Sequence, residues 1–370
     1  MSIELKPRLN SRLIRAALGV ASLAAIAWLL AGCATQPATK KNKGYTFFPG
    51  PPDPPRLQFL TSYASEKELR GGASTFASFV TGETQVKNPI LKPYGVALRA
   101  KELFVCDTAL HAVLILDLAK QRMRGLAPRG EAALKGPVNI TLDAEGNRYV
   151  VDTVRNQVLI FDANDAYKGA IGAKDEMKPR DVVVGKERFY VADVQNHCVR
   201  VYDKADRKLL FSIPKEKEAE NISTRLYQPT NLALDSQGRL YACDTGAFRV
   251  QQYDAEGNFL RSFGHNGDAP GEFKMPKGVA VDREGRVLVV DAANQVIQIF
   301  DDQARLLMWF GEPDTSDAGL DLPAKVIVDY DHVGLFQSYA APNFKLEYLV
   351  IVTNQFGPRK VGIYGFGHKK

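Results

Sequence analysis

A chain of 370 residues with 45% hydrophobic content is long enough to bury a large core and too apolar for an intrinsically disordered protein. Its formal charge of +6 is concentrated at the front, where Lys6, Arg8, Arg12 and Arg15 against Glu4 leave +3 in residues 1–32 and only +3 on everything after. So small a balance excludes nucleic acid as an expected partner.

The four basic residues precede an apolar run from Ala16 to Leu30, about 15 residues against the roughly 20 that a membrane-spanning helix needs. The run ends in Leu30-Ala31-Gly32-Cys33, which resembles the bacterial lipobox. The resemblance implies that residues 1–32 are a signal peptide and that Cys33 carries a covalent lipid, with further acylation of its freed amino group. Several acyl chains anchor stably where one alone exchanges. Ala34 in place of Asp points to the outer membrane, so the expected location is the bacterial cell envelope, facing the periplasm or the cell surface. Residues 33–55 then read as a tether, with Lys40, Lys41 and Lys43 in a polar stretch and five prolines from Pro49 to Pro55 stiffening its end.

Residues 56–92 open with a strand-like segment, Arg56 to Ala64, that has no hairpin partner nearby. A helix-prone segment from Ser65 to Val80 follows. From Pro93 the chain repeats itself. Five units start at Pro93, Pro137, Pro179, Pro229 and Pro276, each running into an apolar strand. A second strand in each ends at Asp107, Asp152, Asp193, Asp244 or Asp291, and a third follows after a short corner. The spacing is that of a four-stranded propeller blade. A sixth, degenerate unit starts at Pro323, carries an aromatic-rich insertion and places Thr353 where the others have Asp. It stops one strand short, and the orphan strand at 56–64 can supply the missing one. The expected fold is all-β: a six-bladed β-propeller over 93–370, its last blade completed from the N-terminal side.

The wording of the units, P-x-G-V-A-V-D, L-Y-V-A-D-T, N-x-V-x-x-F-D and F-x-x-x-F-G, resembles the NHL repeat, best at Pro276 to Gly311 and Pro229 to Gly264. In up-and-down blades the corners after the repeat aspartates share one face with the proline-led crossovers, so both sets converge on one mouth of the central channel. Candidate binding residues there are His111, Asn156, His197 and Asn294 on the corners, Asn139, Asp181, Asn231 and Lys325 on the crossovers, and His265. Gly95 and Gly278 occupy the crossover position in blades one and five. The repeat aspartates are assigned to fixing the corners by accepting backbone N–H bonds. Cys106, Cys198 and Cys243 fall inside strand patterns and read as packing residues.

His111, His197 and His265 are the one set that could hold a zinc ion, as NHL-like peptidyl-hydroxyglycine lyases do with histidines in their channel, but no motif draws the three together. The expectation is therefore no metal and no cofactor beyond the lipid. No G-x-S-x-G, H-E-x-x-H or Walker-type loop occurs. The sequence also resembles bacterial six-bladed NHL lipoproteins, through its P-R-x-x-F-L strand and terminal VTNQFGPRKVGIYGFG segment, of a kind often encoded beside multihaem c-type cytochromes. That resemblance implies a membrane-anchored binding scaffold whose partners are envelope proteins, such cytochromes among them. The alternative is a metal-dependent lyase or lactonase at the channel mouth. Phe336, Tyr339, Phe344 and Tyr348 in the insertion are either a docking surface or packing under the channel floor.

Overall fold

The computed structural model describes residues 44–71, 88–173, 175–312 and 318–370. The leader, Cys33 and the three tether lysines lie outside the described residues, as does most of the helix-prone segment, of which α1 (Glu66–Leu69) is described.

Before the first full blade come β1 (Phe47–Phe48) and β2 (Leu57–Tyr63). Blade one is β3 (Pro93–Arg99), β4 (Glu102–Asp107), β5 (Ala112–Asp117) and β6 (Arg122–Leu126). Blade two is β7 (Pro137–Leu142), β8 (Arg148–Asp152), β9 (Gln157–Phe161) and β10 (Tyr167–Ile171). Blade three is β11 (Pro179–Val184), β12 (Arg188–Asp193), β13 (Cys198–Asp203) and β14 (Leu209–Ile213). Blade four is β15 (Pro229–Leu234), β16 (Leu240–Asp244), β17 (Arg249–Tyr253) and β18 (Phe259–Phe263). Blade five is β19 (Pro276–Val281), β20 (Val287–Asp291), β21 (Val296–Phe300) and β22 (Leu306–Phe310). Blade six takes β23 (Pro323–Asp329), β24 (Phe344–Asn354) and β25 (Val361–Lys369) from the end of the chain.

The expected closure is present. β2 pairs antiparallel with β25, from Leu57 opposite Phe366 to Tyr63 opposite Val361, and becomes the fourth strand of blade six. One element was missed: Phe47 and Phe48, inside the expected tether, form a fifth strand against β2. Their rings explain it, since Phe47 packs on Phe344 and Phe48 on Phe310, a stronger draw than solvent.

A blade is apolar on both faces, and each face is covered by the next blade. The core accordingly divides into six clusters, each shared by two neighbours. Phe104 and Ile115 of blade one meet Ile140 and Leu159 of blade two. At the seam, Leu60, Leu349 and Ile363 of blade six meet Val96, Val105 and Leu114 of blade one. A ring in which six sheets share six such interfaces has no open face.

Within each blade the inner strand carries a register shift just after its proline, as between Pro137 and Asn139 or Pro323 and Lys325. The same shift occurs in the other four blades. A bulge re-aims a side chain, and here it governs the residue two after the proline. The register also corrects the sixth repeat. Pro93 pairs with Asp107 and Pro137 with Asp152, but Pro323 pairs with Asn354, so Asn354 rather than Thr353 is the counterpart of the repeat aspartates.

Candidate site at the channel mouth

The repeat aspartates do the work expected of them. Asp107, Asp152, Asp193, Asp244 and Asp291 are fully buried. Asp152 accepts from the N–H groups of Lys135 (2.6 Å), Gly136 (3.0 Å), Val154 (3.1 Å) and Arg155 (3.0 Å), clamping crossover and corner together. Asn354 repeats part of this, accepting from Asp321 N–H at 3.2 Å. Burial alone would raise the Asp193 carboxyl. The Asn196 side chain, the Lys178 N–H and Arg200 outweigh it and hold the group below its ordinary value.

The corner residues His111, Asn156, His197 and Phe248 share a left-handed backbone, with φ between 52° and 56°. Their counterpart in blade five is Gln295, at 57°, and not Asn294. Asn294 instead donates to Asp291 at 3.0 Å, the role Asn196 plays toward Asp193. Asn156 and Asn294 are half-buried corner residues. The three histidines are not brought together. His111 is exposed, the exposed His197 bonds the Tyr227 carbonyl through Nδ1, and His265, 73% exposed, pairs with Glu272 at 3.0 Å. Among the described residues no group of three or more His, Cys, Asp or Glu side chains is placed to hold a metal ion.

The crossover set behaves differently. Expected as an open rim, Asn139, Asp181, Asn231 and Lys325 are buried and meet at the axis. The Lys325 ammonium donates to Asp181 Oδ2 and, at 3.1 Å, to Asn231 Oδ1. Asp181 also accepts from the N–H groups of Leu232 and Val182, both at 2.9 Å. Asn139 Nδ2 donates to Asn231 Oδ1 at 3.3 Å and to the Arg180 carbonyl at 3.0 Å, while Asn231 Nδ2 donates to Tyr94 OH at 3.3 Å. Burial pushes the Asp181 carboxyl up, against the pull of Lys325. Asn139 Oδ1 is buried without a hydrogen-bond partner among the described residues.

Two glycines let this plug form. A Cβ on Gly95 would lie 2.5 Å from Asn139 Cα, and one on Gly278 2.9 Å from the Ala324 carbonyl. At the position two after the proline, blades two, three, four and six supply polar side chains, and blades one and five supply room. Further along the inner strands lies a cavity of about 270 Å³ lined by aliphatic residues of all six blades, Val96, Ile140, Val182, Leu232, Val279 and Val326 among them. Cys106 and Cys243 are buried, and burial holds both thiols well above their ordinary value; Cys198 is half-buried.

The aromatic insertion is mostly packing. Phe336, Phe344 and Tyr348 are buried, which corrects their reading as a docking surface. Tyr348 stacks on Phe366 at 4.7 Å, and its hydroxyl bonds Asp282 of blade five at 3.0 Å. Tyr339 alone of the four faces outward, at 43% exposure. Gln58, which the sequence reading passed over, ties the insertion to the closing strand through the Tyr339 carbonyl (3.2 Å) and the Ala341 N–H (2.9 Å).

Residues 273–300, most of them in blade five, match the NHL repeat family. A comparison with curated protein sequences finds no match. Among solved structures the chain is similar to a streptogramin B lyase (10% identity over 76% of this chain and 95% of that one, TM-score 0.52). It is also similar to virginiamycin B lyase from Staphylococcus aureus (12%, 75% and 96%, TM-score 0.51) and to a gluconolactonase from Xanthomonas campestris (15%, 85% and 95%, TM-score 0.54). At such identities the likeness is one of fold. Repeat, register and six shared cores agree: the chain is a six-bladed β-propeller, with an NHL repeat matched over residues 273–300.

Proposed function

We propose that this protein is an envelope lipoprotein, anchored through Cys33, whose propeller serves as a rigid binding scaffold. The observation that carries the scaffold reading is the axial plug. At the mouth where a propeller enzyme would hold its reacting groups, Lys325 neutralises Asp181, and the two asparagines are bonded to each other. A buried carboxylate already paired with an ammonium and two backbone donors is poorly placed to serve as a base or a nucleophile. A rigid disc with variable loops is useful through what it holds. The envelope assignment is supported by the basic leader, the short apolar run and Leu30-Ala31-Gly32-Cys33. Envelope proteins, multihaem c-type cytochromes among them, are the partner class that the likeness to NHL lipoproteins suggests.

The test is recovery of partners from gently solubilised membranes with the tagged full-length protein, followed by haem staining. The reading predicts a reproducible set of envelope proteins and its loss from the membrane fraction with Cys33→Ser, which also abolishes acyl labelling. Stoichiometric metal in the purified protein, released by His111→Ala or His197→Ala, would favour the lyase or lactonase reading instead.

A further inference from the structure

Above the plug the mouth is lined by cations. The Lys277 ammonium lies 5.7 Å from the centre of the Tyr94 ring, and Lys92 is near enough to act on Lys277 by its charge. The Lys92 ammonium lies 5.5 Å from the ring of Phe356, which is 55% exposed. Arg180, exposed on the inner strand of blade three, acts on Tyr94 of blade one by its charge. Lys360 is half-buried; its ammonium donates to the Gln355 carbonyl at 3.3 Å, and the Asp107 and Asp321 carboxylates lie near enough to act on it by charge. Among the described residues none of these four cations has an ion pair with a carboxylate. Two carboxylates reach this face, and both are held by other donors: Asp107 accepts from the N–H groups of Leu91, Lys92, Ala109 and Leu110, and Asp321 pairs with Arg359, so that against the four cations they offset only part of the positive charge.

Ammonium groups set against aromatic rings with no carboxylate in ion-pair contact are a costly arrangement in the free protein. Burial, then the neighbouring Lys92 charge, holds Lys277 below its ordinary value, and burial does the same for Lys360 against the pull of Asp107 and Asp321. An anion seated among them relieves that cost, and it gains charge-assisted hydrogen bonds from groups already in place. Beneath it the Lys325–Asp181 pair is neutral, so the floor adds no repulsion.

We propose that this face of the propeller is a carboxylate-binding site, formed by Lys92, Arg180, Lys277 and Lys360 around Tyr94 and Phe356. The aromatic rings beside the lysines suit carboxylates borne on short methylene groups, and the source is either a free polycarboxylate or an acidic segment of a partner protein. The inference goes beyond the scaffold reading and holds whether or not the chain is anchored.

The experiment is calorimetric titration of the purified full-length protein with citrate and with a hexaglutamate peptide, at low and at high salt. Binding of either at low salt is expected, weakened by salt and reduced roughly tenfold or more by Lys277→Met or Lys92→Met, while Lys277→Arg retains it. Arg180→Gln, at an exposed position, keeps the test open should a lysine variant fold poorly. Saturation by citrate identifies a free polycarboxylate, and binding of the peptide alone identifies a partner's acidic segment. Absence of binding to both at low salt overturns the proposal. So does binding that these substitutions leave unchanged, or a single-stranded oligonucleotide that binds more tightly than either probe.

Discussion

Lys325 and Asp181 show how far one pair of side chains can decide what a fold is able to do. With Asp181 fully buried, removing its partner leaves an uncompensated charge. Lys325→Met should therefore lower stability by about 3–5 kcal/mol in urea denaturation. Asp181→Asn added to it should return part of that loss, because the orphaned charge is gone and the amide oxygen still accepts from Leu232 or Val182. A second prediction concerns acid. Lys168, with the N–H groups of Ala166 and Asn164, pulls the half-buried Asp162 carboxyl down to about 2. Its folded value lies below the unfolded one of about 3.9, so its contribution is complete above that pH and disappears as pH falls through 2. Urea midpoints of wild type and Asp162→Asn should differ at neutral pH and converge toward pH 2.

At this scale the sequence was legible where a residue type has one physical use. The repeat aspartates were assigned to the corners, and the structure places them there. It misled where type and register diverge. Asn294 looks like the partner of Asn156, but the left-handed position belongs to Gln295, since the count from the aspartate fixes the corner whatever side chain stands there. Thr353 was likewise taken for the repeat position that the ladder gives to Asn354. The plug residues were placed at the mouth by their crossover position, but not as a buried, mutually bonded set, because a bulge turns them inward and bulges leave no mark in a hydrophobic pattern.

The blade is the element that sequence periodicity describes best, because every blade must hide two apolar faces in the same way. What periodicity does not describe is how closely inner strands approach. Gly95 and Gly125 both lie in blade one, yet a Cβ on Gly95 meets backbone at 2.5 Å, whereas nothing lies within 4 Å of one on Gly125. Gly95→Ala should cost about 1–3 kcal/mol by forcing blade two off the axis, while Gly125→Ala should be neutral to thermal melting. A full-cost Gly125→Ala, or a silent Gly95→Ala, would show that the inner strands are less tightly fitted than described here. The aromatic insertion teaches the same lesson from the other side. Its density of rings left a surface and internal packing equally open, and the structure covers three of the four: Phe344 packs on Phe47 from the front of the chain, Tyr348 stacks on Phe366 and bonds Asp282 of blade five, and Phe336 is buried as well.

The whole molecule depends on how its ring is shut. Leu57, Leu60 and Tyr63 enter the shared cores of blade six from the front of the chain, so the first described strand and the last fold as one sheet. The plug, the mouth and the spacing of its cations all inherit their positions from that closure. The direct measurement is to insert a protease site after Gly71 in the full-length protein, cleave it under native conditions and run size exclusion. The N-terminal piece should stay with the rest and leave only in denaturant, in the same transition that unfolds the other blades. Its separation in native buffer, with the remainder still folded, would contradict the closed ring and every placement built on it.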